Sequence, residues 1–347
     1  MPQILDNPWR GTGLLPDATR PIADAAGVAR LLALCPAHAE TPLLDVPTLA
    51  QACAVTSVHI KDERGRMGLG SFTALGAAHF IARAAEAVGH GDWDQRLTGQ
   101  TYVTASAGNH GLSVAAGARI FGAQAVIYIA DTVPEAFANR LASYGAQVVR
   151  QGAAYEASMA AAEQAAADNG WSLLSDSSWD GYTEPALRVM EGYTQMAAEA
   201  VRQIPAPPTH ILLQAGVGGL AAAVAAHARL VWGDAPTIIV VEPDLAPALI
   251  ESIRAGALTT TDGPVSSMGR LDCKTPSLIA LAGLSRDANS FATITEAEAA
   301  AGVATLAHHG LATTPSGGAG LAALIAGLKL PPDARVLTFL SEGPENG

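Results

Sequence analysis

"ILLQAGVGGLAAAV", Ile211 to Val224, runs from an apolar strand through Gly216, Gly218 and Gly219 into an alanine-rich helix. A strand that turns into a helix within a few residues is half of a parallel strand–helix–strand unit. The glycines permit a tight turn. The first N–H groups of the helix lack intrahelical acceptors, so they are free to bind an anion. The same segment is also compatible with a tight connection and nothing more.

Reading outward, the same pattern recurs on both sides. "TYVTAS" (101–106) reads as a strand and "NHGLSVAAGARIFG" (109–122) as a helix closed by Gly122. "AQAVIYIA" (123–130) is a buried strand, and "PEAFANRLASYG" (134–145) is a helix that begins with Pro and ends with Gly. "AQVVRQG" and "YEASMAAAEQAAADNG" repeat the alternation, "WSLLSD" (171–176) is a further strand, and an amphipathic helix covers about 184–203. "APPTH" (206–210) breaks the chain. The second series follows: strand 211–216, helix 219–233, strand "TIIVVEPD", helix "APALIESIRAG". Residues 257–292 read as irregular and polar. Two helices, about 295–309 and 315–328, and the strand "RVLTFLSEG" (335–343) close the sequence.

Strand–helix alternation with short connections predicts an α/β fold of two lobes, each a mostly parallel sheet flanked by helices. The expected division is 1–59 as the N-terminal part of a large domain, 60–185 as a small α/β domain, and 186–347 as the rest of the large one. Ligands in such folds sit at the C-terminal ends of strands.

The 347 residues are 49% hydrophobic, ample for buried cores, and carry a formal charge of −12. No run of Lys or Arg marks a nucleic-acid surface. Cys35, Cys53 and Cys273 are widely spaced and form no ligand pattern, so no metal is expected. No basic–apolar leader or membrane-length apolar run is read, and a cytoplasmic setting is expected. The lysines number three: Lys61, Lys274 and Lys329.

Two anions suit the glycine turn. One is a dinucleotide pyrophosphate: Gly216 to Ala221 satisfies the loose G-x-G-x-x-G/A form. Glu242, 26 residues past Gly216, ends the next strand near where an acid would contact a ribose. The other is the phosphate of a smaller cofactor such as pyridoxal phosphate. The turn alone does not choose.

A second strand–helix turn does. "TASAGNHGLS", Thr104 to Ser113, is richer than a cap requires, although Asn109 is a good N-cap candidate. With it, the chain resembles the fold type II pyridoxal-phosphate enzymes, the group of threonine and serine dehydratases, and most of all diaminopropionate ammonia-lyase-like proteins. The resemblance covers nearly the whole chain. "KDERGRMGLGSF" resembles the approach to the cofactor-bearing lysine, "SAGNHG" the carboxylate loop, and "GVGGL" the phosphate cup. "LLSDSSWDGYTE" and "MGRLDCKTPS" resemble the ammonia-lyase branch; "TTPSGGAGLAAL" and "FLSEGPENG" resemble the C-terminal wall of the site.

The resemblance implies roles. Asn109 would bond the phenolic oxygen of pyridoxal 5'-phosphate. The backbone of Ser106, Ala107, Gly108 and His110 would receive the substrate carboxylate. Gly216, Val217, Gly218, Gly219 and Leu220 would hold the phosphate, and Ser341 or Glu342 would face the pyridine nitrogen. Asp176 stands at a catalytic acid–base position, with a capping role as the alternative. Ala107 departs from the ammonia-lyases, which carry aspartate there. That weakens diaminopropionate as substrate and leaves room for serine, threonine, 3-hydroxyaspartate or another β-substituted amino acid. Thr314 stands where relatives often place an acid. The implied reaction is β-elimination to a 2-oxo acid and ammonia, in a homodimer.

One position conflicts. The family's lysine follows Ser-Phe, and here Thr73 does. Threonine neither bonds the cofactor aldehyde as an amine does nor acts as a base. Lys61 would support the strand end, Lys274 looks like an ordinary variant of its segment, and Lys329 would lie on the surface. Two readings follow: an engineered lysine-to-threonine change in an otherwise ordinary lyase, or a protein that naturally lacks the lysine at this position, either a non-catalytic binder of cofactor and amino acid or an enzyme with altered chemistry. A nicotinamide oxidoreductase, dependent on Glu242, is the remote alternative.

Overall fold

Eleven strands organise the computed structural model, which describes residues 1–35 and 37–344. In chain order they are β1 (Gln3–Asp6), β2 (Leu43–Asp45), β3 (Ser57–Asp62), β4 (Thr101–Ala105), β5 (Gln124–Ile129) and β6 (Gln147–Arg150). β7 (Ser172–Leu173), β8 (His210–Gln214), β9 (Thr237–Pro243), β10 (Ser290–Ile294) and β11 (Arg335–Leu340) follow. They form two sheets, ordered β1-β10-β9-β8-β11-β3-β2 and β6-β5-β4-β7. The smaller sheet is parallel throughout. The larger is parallel except at its edges, where β1 and β2 run antiparallel to their neighbours.

Parallel strands covered on both faces read as continuous apolar runs. Ile211, Leu212 and Leu213 of β8 and Ile238 to Val241 of β9 are all buried. The helix Gly219–Trp232 is buried from Gly219 to Ala228 and packs on the helices Glu184–Gln203 and Leu278–Asp287. Among the described residues no helix is long and apolar enough to cross a membrane.

Three local expectations are corrected. Residues 257–292 are not irregular throughout. They contain the apolar helix Leu278–Asp287 and most of β10, which inserts between β1 and β9. The strand read over 171–176 is shorter: β7 covers Ser172–Leu173, and the last bond to the sheet is from Leu174 N–H to Val103 O at 2.8 Å. Asn109 is the first helical residue and Gly108 the N-cap, because the Asn109 amide reaches across to Glu342 instead of back to its own helix.

Between β3 and the next helix, a buried ionic cluster fixes the chain. Lys61, Glu63, Arg66 and Glu199 are all fully buried. Arg66 bonds Glu63 and Glu199 at 2.7 Å, and Lys61 Nζ lies 2.7 Å from Glu199. Burial alone would raise the Glu199 carboxyl. The Arg66 hydrogen bonds and the charges of Arg66 and Lys61 outweigh burial and hold it at about 2. The cluster ties β3 and the turn Glu63–Gly68 to the helix Glu184–Gln203.

Candidate active site

Thr73 opens the helix Thr73–Val88, and its start is pinned to the end of β11. Phe72 N–H donates to Ser341 O at 3.1 Å, and Ser71 bridges Glu342. The Thr73 hydroxyl, nearly buried, lies 3.1 Å from Ser113 Oγ and 3.3 Å from Ser71 Oγ. Ser113 in turn donates to Asn109 O at 2.7 Å. Position 73 therefore holds a neutral hydroxyl cluster. No lysine replaces it. Lys61 is committed to Glu199, and Lys274 donates to Leu245 O, Pro264 O and Asp272. Lys329 is exposed.

The turn after β4 places Ser106 to His110 beside Thr73. Gly108 N–H bonds Ser106 Oγ at 3.3 Å, whereas the amides of Ala107, Asn109 and His110 donate to no other described residue. Three open donors at the start of a 12-residue helix suit a carboxylate. Gly111 makes the turn possible, since a Cβ there would sit 2.2 Å from Ser106 O. The His110 ring is buried with Nε2 2.8 Å from Leu174 O, so only the backbone of His110 faces the turn's ligand space.

The turn after β8 is the second open cup. Gly218 has φ +102°, a conformation that disfavours any side chain, and a Cβ on Gly216 would lie 2.9 Å from Arg270 O. Val217 N–H bonds the Cys273 thiol. The amides of Gly216, Gly218, Gly219 and Leu220 donate to no other described residue. Tyr193 lies under Gly219 and packs edge-on against Phe72 at 4.8 Å, which joins this cup to the Thr73 helix start.

Ser341 and Glu342 differ in what they can offer. Glu342 is buried and engaged: Asn109 Nδ2 and Thr314 Oγ1 both donate to its carboxylate, and Arg270 Nε lies 3.8 Å away. The Ser341 hydroxyl makes no hydrogen bond with the described residues. Of the C-terminal segment "FLSEGPENG", residues 345–347 lie outside the described residues. Asp176 follows β7 and is half-buried; its carboxylate accepts no hydrogen bond from the described residues, so it caps nothing. Its charge adds to burial in raising Cys273, to about 12, and Tyr193. Asp176 is thus within electrostatic reach of the glycine turn.

Glu242 does not fit the nucleotide reading. It is fully buried, and its carboxylate accepts Leu249 N–H at 2.7 Å and Ile250 N–H at 2.8 Å, which leaves no face for a ribose. The acid caps the helix Ala248–Ala255. Spacing alone brought it to notice.

Residues 34–342 match the profile of a family described as "Pyridoxal-phosphate dependent enzyme". The chain belongs to that family. Diaminopropionate ammonia-lyase of Escherichia coli strain K12 is 31% identical over 334 residues, 87% of this chain and 84% of that protein. L-serine dehydratase/L-threonine deaminase of Mus musculus is 31% identical over 226 residues, 64% of this chain and 63% of that one. Diaminopropionate ammonia lyase from Escherichia coli in complex with D-serine superposes with a TM-score of 0.87 at 27% identity, covering 99% of this chain and 94% of the other. The two-lobed α/β fold and the pyridoxal phosphate cofactor expected from the sequence both stand.

The residues present fit a pyridoxal-phosphate enzyme in every respect but one. Four open amides and a glycine-only turn suit a phosphate, and Ser341 offers an unengaged hydroxyl. Thr73 provides no amine. Tyr193 contributes to the site unannounced by any motif, and Ser113 closes the quoted segment Thr104–Ser113 without having been singled out. Ser113 lies one helical turn beyond Asn109, the only hint in the sequence that both face one space.

Proposed function

We propose that this chain is a lyase-type pyridoxal-phosphate protein for a β-substituted amino acid, silenced by threonine at position 73. One observation carries the reading: the Thr73 hydroxyl stands among Ser71 and Ser113 while two open amide cups flank it. Bound pyridoxal phosphate supplies an electron sink for the bonds at the substrate Cα. Gly216, Gly218, Gly219 and Leu220 hold its phosphate through their amides, beside Val217. Asn109 orients the ring through its phenolic oxygen. Ser341, rather than the engaged Glu342, faces the pyridine nitrogen. Ala107, Asn109 and His110 hold the substrate carboxylate in the turn that Ser106 and Gly108 shape. Asp176 exchanges a proton with the leaving group. The Cα proton has no acceptor, because an alcohol is no base at neutral pH.

Restoring the amine tests the reading. Thr73→Lys should release 2-oxo acid and ammonia from a member of a panel of serine, threonine, 3-hydroxyaspartate and 2,3-diaminopropionate. Silence across the panel, with cofactor bound, would refute the lyase assignment. It would favour the second reading, a binding protein that holds cofactor and amino acid without turnover. That reading is supported by the orderly packing of the Thr73 hydroxyl. We further propose a cytoplasmic homodimer, which light scattering would check for assembly.

A further inference from the structure

Outside Asn109 and Glu342 the site opens into a cavity of about 660 Å³. Neither the glycine turn nor Thr73 lines it, so it is separate from the seat of the phosphate. Its walls carry the guanidinium groups of Arg64, Arg140 and Arg270 against the carboxylates of Asp62 and Glu342. This excess of positive charge belongs to a chain whose formal charge is −12.

The three cations are not equivalent. Arg64 grips Asp62 with two hydrogen bonds of 2.7 Å and donates to Ala312 O at 3.1 Å. Arg270 lies 3.8 Å from Glu342 and packs over Gly108, where a Cβ would meet its Cζ at 3.2 Å. Arg140 comes from the helix Glu135–Ser143, on the side of the smaller sheet. Among the described residues its hydrogen bond is a long one, 3.3 Å to Leu69 O, and no carboxylate lies within ion-pair distance. A guanidinium that has no acid among the described residues, in a chamber that begins at the amino-acid site, suits an anion on the ligand.

We propose that this cavity seats a second carboxylate of the substrate and that Arg140 recognises it. The preferred class is then the β-substituted amino dicarboxylic acids. This rests on the reading above that an amino acid binds at Asn109. Arg64 and Arg270 frame the chamber, and Arg140 supplies the charge that discriminates.

The test uses stable probes and the Thr73 protein itself. Pyridoxal phosphate is reductively coupled to aspartate and to alanine, and each secondary amine is titrated calorimetrically. The aspartyl probe should bind at least about tenfold more tightly, the scale of one charge-assisted contact. Arg140→Gln should bring the ratio of the two affinities to about one, and Arg140→Lys should restore part of it. Raising the ionic strength should shrink the ratio, since Arg140 is exposed. A parent ratio near one, or a ratio untouched by Arg140→Gln, overturns the inference and leaves the cofactor site standing. Failure of both probes to bind overturns the cofactor site and this inference together.

Discussion

Glu199→Gln removes one of two carboxylates that neutralise two buried cations, Lys61 and Arg66. The remaining cluster keeps both cations and only Glu63, so one positive charge is left without a partner in a fully buried place. Breaking a buried ion pair on one side costs about 3–5 kcal/mol. At roughly 2–4 °C per kcal/mol for domains of 150–250 residues, the melting temperature should fall by about 6–20 °C. Lys61→Met added to Glu199→Gln restores the charge balance around Arg66 and Glu63, so the double variant should recover most of the loss. The pH dependence has a definite sign. Glu199 sits at about 2 when folded, against about 4.3 when unfolded. Its contribution is complete above about 4.3 and is lost as pH falls toward the folded value, a span of roughly 3 kcal/mol. The turn Glu63–Gly68 leads directly to the Thr73 helix start, so Glu199→Gln should also weaken pyridoxal phosphate binding. Urea titrations of parent, single and double variants at pH 3, 5 and 7 measure this (the pH values are chosen to bracket the transition, about 4.3). A loss below about 1 kcal/mol in the single variant, or no recovery in the double, would refute the reasoning.

Three further outcomes are expected. Gly218→Ala strains a backbone at φ +102° and sets a Cβ 2.9 Å from Ala280 Cβ. It should lower pyridoxal phosphate affinity by about tenfold or more, read by equilibrium dialysis. Thr73→Lys should raise 2-oxo acid production by at least about 10²–10⁴-fold, the range of one general base, in a coupled assay. Glu242→Ala should destabilise the protein by about 1–3 kcal/mol by leaving two buried amides unpaired. Neither it nor the parent should bind NAD in calorimetry.

Much of the fold was legible because buried parallel strands leave unbroken apolar runs, and each glycine turn marks where one ends. The helix Glu184–Gln203 was read at its observed length. The helix Leu278–Asp287 was missed because its apolar run is short and follows the polar stretch before it. The strand before Asp176 was read too long, since its pairing with β4 ends at the Leu174 N–H, which donates to Val103 O, and Ser175 and Asp176 follow as a loop. In the site, the backbone cups were legible because only glycine and open amides can build them. Tyr193 and Arg140 were not, since each lies on an ordinary helix and meets the site only through how that helix docks; Ser113 was in the quoted segment, but its role was not read. Glu242 shows the opposite failure: its spacing suited a ribose, but its burial made it a helix cap.

The central claim is that position 73 is the place of the missing amine. Both the parent and Thr73→Lys would be loaded with pyridoxal phosphate, reduced with borohydride, digested and mapped by mass spectrometry. The account predicts a label at residue 73 of the lysine form and none in the parent. A label at Lys61 or Lys274 of the parent would contradict it, because the covalent attachment point would then lie elsewhere in the fold.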